Sequence, residues 1–119
     1  MAGLYIHIPF CESKCIYCDF YSMANNNYLI DKYIDALLVE AAHRKNELNS
    51  ETITTVYLGG GTPSLLSTTQ LSKLVNGLKK VFDFSDVEEF TIEVNPDDVM
   101  ADYIQQAISL GINRVSMGV

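Results

Sequence analysis

Two hydrophobic periods alternate along the whole chain, and that alternation limits the folds open to it. Gly3 to Ile8 sets Leu4, Ile6 and Ile8 on one face and Tyr5 and His7 on the other, the period of two that marks a strand. Pro9 ends it. Asn25-Asn26-Asn27 then offers a cap for a long helix from about Tyr28 to Leu48. Leu29, Tyr33, Leu37, Ala41 and Leu48 keep helical spacing there, as do Ile30, Ile34 and Leu38, while Lys32, Asp35, Glu40, Arg44 and Lys45 take the other faces. Thr54 to Leu58 reads as a second strand running into Gly59-Gly60-Gly61-Thr62-Pro63. Ser67-Thr68-Thr69-Gln70 has the form of a capping box ahead of Leu71, Leu74, Val75, Leu78, Val81 and Phe82. Glu89 to Asn95 is a third strand, closed by Asn95-Pro96. A helix from about Met100 to Leu110 stops at Gly111, and Arg114 to Val119 begins a fourth strand.

Strands alternating with helices imply a parallel sheet covered by helices, and 119 residues is one ordinary domain. The expected fold class is α/β, a series of parallel βα repeats that supplies the first part, about four strands, of a larger barrel. Residues 1–119 are expected to be the N-terminal part of a single core domain. The first and last strands would each keep an unpaired edge, so the 119-residue chain is expected to fold poorly alone or to self-associate.

All three cysteines fall within eight residues directly after the first strand, as Cys11-Glu12-Ser13-Lys14-Cys15-Ile16-Tyr17-Cys18. Closely spaced cysteines of this kind hold iron–sulfur clusters, and three thiolates leave one iron of a [4Fe–4S] cube without a protein ligand. A structural disulfide is disfavoured: the number is odd, and neither a second cysteine cluster nor a secretory signal is present. Zinc is the competing reading, because His7 lies four residues before Cys11 and could complete a Cys3His tetrahedron. Zinc sites more often draw ligands from two separated pairs, and His7 sits in a strand.

Charge narrows the partners. A net charge of −7 argues against nucleic acid or an anionic membrane as the main partner, and no apolar run reaches spanning length. A soluble cytoplasmic protein with free thiols is expected.

Ligand sites in parallel α/β folds collect at the carboxyl ends of the strands. The cysteines follow strand one, the triple glycine follows strand two, and Glu93 with Asn95 ends strand three. Gly59-Gly60-Gly61 lets a ligand approach bare backbone, although a tight strand-to-loop turn is the more common reason for a lone glycine triplet. The segment lacks the spacing of a phosphate loop. Glu93 shares a strand face with Thr91 and Asn95, opposite Phe90, Ile92 and Val94. If the apolar face meets the helices, Glu93 points into the barrel and needs a partner: a ligand ammonium or hydroxyl, or internally Arg114 or His7.

Leu4-Tyr5-Ile6-His7-Ile8-Pro9-Phe10-Cys11, Cys15-Ile16-Tyr17-Cys18, Tyr57-Leu58-Gly59-Gly60-Gly61-Thr62-Pro63-Ser64, Ile92-Glu93-Val94-Asn95-Pro96 and Gly111-Ile112-Asn113-Arg114-Val115-Ser116-Met117-Gly118-Val119 together resemble the oxygen-independent coproporphyrinogen III oxidase family of radical SAM proteins. The resemblance implies a radical SAM partial TIM barrel. It implies a [4Fe–4S] cluster on Cys11, Cys15 and Cys18, with S-adenosylmethionine chelating the open iron. Tyr5, Gly60, Gly61, Thr62 and Glu93 match positions that contact S-adenosylmethionine, and Tyr17 matches an aromatic beside the cluster. The oxidases carry a further cysteine two residues after the third ligand, where this chain has Cys18-Asp19-Phe20. That difference, and the short leader before the first strand, resemble the HemW branch. The resemblance then implies a haem-binding chaperone with haem as cargo and a respiratory haem acceptor as partner. The alternatives are a coproporphyrinogen III oxidase of porphyrin biosynthesis and a non-catalytic Cys3His zinc-binding domain.

Overall fold

The computed structural model describes residues 2–8, 26–48, 51–60, 66–94 and 101–117, and the side chains of residues 26–29 are left aside. The elements follow the expected order: β1 (Ala2–Ile8), α1 (Asn26–Arg44), a 3₁₀ turn (Lys45–Leu48), β2 (Ile53–Gly60), α2 (Thr68–Val81), β3 (Glu89–Val94), α3 (Ala101–Ser109) and β4 (Arg114–Met117). The strands form one parallel sheet in the order β1-β2-β3-β4. Sequence order and spatial order coincide, so the sheet winds one way, as in a barrel, without the reversal of a doubly wound sheet.

The pattern of two decides which face meets the helices. Ile6, Ile8, Val56, Leu58, Phe90, Ile92 and Val94 are all buried on the outer face. Against them pack Ile30 and Ile34 of α1, Leu71, Leu74, Val75 and Leu78 of α2, and Tyr103 and Ala107 of α3. On the inner face Tyr5 pairs with Tyr57, Tyr57 with Thr91 and Thr91 with Arg114, a row of polar and aromatic side chains across all four strands.

Local signals set the helix limits. Ser67 caps α2 reciprocally: the Gln70 amide donates to Ser67 Oγ at 3.1 Å and the Ser67 amide to Gln70 Oε1 at 2.9 Å. Caps of this kind contribute about 1 kcal/mol. After α3 the chain turns at Gly111 with φ +103°, a conformation few residues but glycine adopt. Asn113 then ties β4 to its neighbour, accepting from the Phe90 amide and donating to the Glu88 carbonyl, both at 2.9 Å.

Two of the boundaries that differ from the sequence expectation have a plain physical cause. The long helix ends at Arg44 and tightens into the 3₁₀ turn, where the Arg44 guanidinium pairs with Glu47 and Leu48 is drawn against the core. The second strand runs on through Gly59 and Gly60, because these residues pair with His7 and Ile8 of β1. The first two glycines therefore belong to the sheet and not to the loop.

Candidate functional site at the carboxyl end of the sheet

Among the residues singled out from sequence, Tyr5, His7, Gly60 and Glu93 fall within the described segments. Cys11, Cys15, Tyr17, Cys18, Asp19, Phe20, Gly61, Thr62 and Asn95 lie outside them. β1 ends three residues before Cys11 and β2 ends at Gly60, immediately before Gly61-Thr62. Both strands thus lead toward one rim of the sheet.

Glu93 is half-buried on the inner face, as the alternation of β3 requires. Its carboxylate partners are neither Arg114 nor His7. Tyr57 donates its hydroxyl to Glu93 Oε2 at 2.8 Å, and the Gly60 amide donates to Oε1 at 2.9 Å. Arg114 instead pairs with Glu89 at the start of β3, and the Tyr5 hydroxyl lies 3.2 Å from His7 Nδ1. Each carboxylate oxygen of Glu93 thus holds one protein donor and keeps room for a second, since a carboxylate offers about four acceptor directions.

The glycines make this arrangement possible in different ways. A Cβ on Gly59 would come within 2.8 Å of Glu93 Oε1, 2.7 Å of the Tyr57 ring and 3.0 Å of the Tyr5 ring. Gly59 is therefore the floor on which the acid and the two aromatics rest. Gly60 has φ +111°, and a Cβ there would meet the Ile8 carbonyl at 2.7 Å and the His7 ring at 2.8 Å. At both residues the space a side chain would fill is already taken by protein atoms.

Tyr57 was not singled out from sequence. Its signal was the alternation of β2, which sets it on the face of Thr55 and Gly59. Its ring stacks on that of Tyr5 with centroids 5.9 Å apart and planes 21° apart, leaving Tyr5 56% exposed on the inner face. The bond to the Glu93 carboxylate pushes the Tyr57 phenol above the usual tyrosine value, while the Ser116 hydroxyl of β4 works the other way. At the neighbouring edge, the Tyr33 hydroxyl of α1 donates to the His7 carbonyl, which fastens the end of β1 to α1. Burial, then Glu40, pushes the Tyr33 phenol upward. Among the described residues no group of three or more His, Cys, Asp or Glu is arranged to hold a metal, and the cysteines are not among them.

The model of the Radical SAM superfamily matches residues 5–119, so the chain belongs to the Radical SAM superfamily. Its relatives are of two kinds. It is 40% identical over 120 residues to "Heme chaperone HemW" of Bacillus subtilis strain 168, covering 100% of this chain and 32% of that protein. It is 36% identical over 118 residues to "Oxygen-independent coproporphyrinogen III oxidase" of Escherichia coli strain K12, covering 98% of this chain and 26% of that protein. The solved structure of coproporphyrinogen III oxidase (HemN) from Escherichia coli, a radical SAM enzyme, superposes with TM-score 0.82 at 35% identity, over 98% of this chain and 27% of that one. The chain spans a third or less of the length of these relatives. The fold is α/β with four parallel strands, like part of the HemN barrel.

Proposed function

We propose that residues 1–119 are the N-terminal part of the radical SAM core of a haem chaperone of the HemW type. The observation that carries this reading is the difference in similarity between the two kinds of relative: 40% to the haem chaperone of Bacillus subtilis against 36% to the oxidase of Escherichia coli, over nearly the same residues. Asp19-Phe20 after Cys18 points the same way.

Three soft thiolates within eight residues fit an iron–sulfur cluster, and no zinc-type second pair accompanies them. Cys11, Cys15 and Cys18 would hold a [4Fe–4S] cluster, which when bound supplies an electron and an open iron for S-adenosylmethionine. The chain's own residues prepare the place beside it. Glu93, fixed by Tyr57 and Gly60, presents acceptor oxygens suited to a ligand ammonium or ribose hydroxyl. Gly60, Gly61 and Thr62 bring backbone close to the ligand, Tyr5 adds an exposed ring, and Tyr17 stands next to the cluster ligands in sequence. Haem is the cargo, and a respiratory haem protein is the acceptor. No helix among the described residues is long and apolar enough to cross a membrane, which suits a cytoplasmic site of action.

The reading is tested on the complete protein. Haem titration should saturate, and an anaerobic assay with reductant, S-adenosylmethionine and coproporphyrinogen III should give no decarboxylated product. Turnover to protoporphyrinogen IX without saturable haem binding would assign the chain to the oxidases. The β1 and β4 edges have no strand partner among the described residues, and they support self-association of the 119-residue chain. Light scattering should show oligomers; a monodisperse, cooperatively unfolding monomer would contradict this.

A further inference from the structure

One polar side chain of the site touches no ligand in the reading above. Tyr57 reaches Glu93 from the neighbouring strand, 36 residues away in sequence, at 2.8 Å. Its own ring is held by the stack with Tyr5. Glu93 on its own has a flexible side chain on a half-open face, and two free torsions would let the carboxylate swing toward solvent. With Tyr57 on Oε2 and the Gly60 amide on Oε1, the carboxylate plane is set by donors from a side chain and a main chain of the same strand.

We propose that Tyr57 is a positioning residue: its hydroxyl locks the Glu93 carboxylate against the Gly60 amide, so that the remaining acceptor directions of Glu93 are aimed at a ligand donor before the ligand arrives. Tyr57 touches no reacting atom in this account. It acts by sparing the ligand the cost of ordering Glu93, which lowers the free energy of binding without adding a ligand contact. β2 and β3 are thereby joined through two side chains on the inner face.

The proposal rests on the reading that Glu93 contacts S-adenosylmethionine, and the test separates the two. Anaerobically reconstituted complete protein, with Tyr57→Phe, Glu93→Gln and the double variant, is compared by equilibrium dialysis against S-adenosylmethionine, with iron content and melting midpoint as controls. Tyr57→Phe removes one oxygen and keeps the ring on Tyr5. It should weaken binding about tenfold, the worth of one hydrogen bond to a charged group, with iron unchanged. Because Tyr57 acts only through Glu93, the double variant should bind no more weakly than Glu93→Gln alone. Wild-type affinity in Tyr57→Phe overturns the proposal and leaves the role of Glu93 standing. So does a double variant whose losses simply add. Wild-type affinity in Glu93→Gln overturns the underlying reading of Glu93, and the proposal with it.

Discussion

Cys11→Ala, Cys15→Ala and Cys18→Ala should each reduce the iron of the anaerobically reconstituted complete protein from about four per chain to nearly none. The cube has one iron that the protein does not ligate even in the intact site, and removing a thiolate leaves two of four irons without protein ligands. His7→Ala should retain its iron. The His7 ring lies beside Gly60 and near the Tyr5 hydroxyl on the inner face of the sheet. Iron and acid-labile sulfide analysis with the visible absorption spectrum checks all four variants. Metal loss in His7→Ala equal to that of the cysteine variants would restore the Cys3His zinc site.

Gly60→Val should cost the complete protein roughly 2–6 kcal/mol, adding a strained backbone of about 1–3 to overpacking of similar size. The residue sits at φ +111° with the Ile8 carbonyl 2.7 Å from where a Cβ must go, and backbone cannot step aside as a side chain can. Loss of S-adenosylmethionine binding in that variant would therefore report damage to the fold as much as to the ligand site. Gly59→Ala separates the two. Its φ is ordinary, and its Cβ would meet only side chains: Tyr57, Glu93 and Tyr5. Pushing the Glu93 carboxylate off the Gly60 amide should reduce S-adenosylmethionine affinity more than tenfold while the melting midpoint moves far less than in Gly60→Val. Thermal melts and equilibrium dialysis on both variants decide it, and equal destabilisation in the two would contradict the division of labour between these glycines.

The elements themselves were legible because their signals are local. The capping box at Ser67, the left-handed stop at Gly111 and the alternation of Phe90, Ile92 and Val94 are each written within a few residues, and each appears in the structure as read. That Glu93 faces inward followed from the same alternation. What binds it did not, because Tyr57 meets Glu93 through the pairing of β2 with β3, and register between parallel strands depends on the crossover and packing of the intervening helix. A charged partner such as Arg114 is the natural guess from composition. In the sheet, Arg114 stands opposite Thr91, one inward position lower than Ser116, which is the residue opposite Glu93, and finds Glu89 instead. The extension of β2 through Gly59 and Gly60 was hidden for a related reason: glycine carries no strand signal of its own, and only pairing with His7 and Ile8 makes it one.

The central claim is that this chain carries the thiolate set of a radical SAM cluster. Iron, acid-labile sulfide and zinc, quantified together on the anaerobically reconstituted complete protein, test it most directly. The account predicts about four irons and about four sulfides per chain with negligible zinc. One zinc per chain that excess iron and sulfide fail to displace would contradict it.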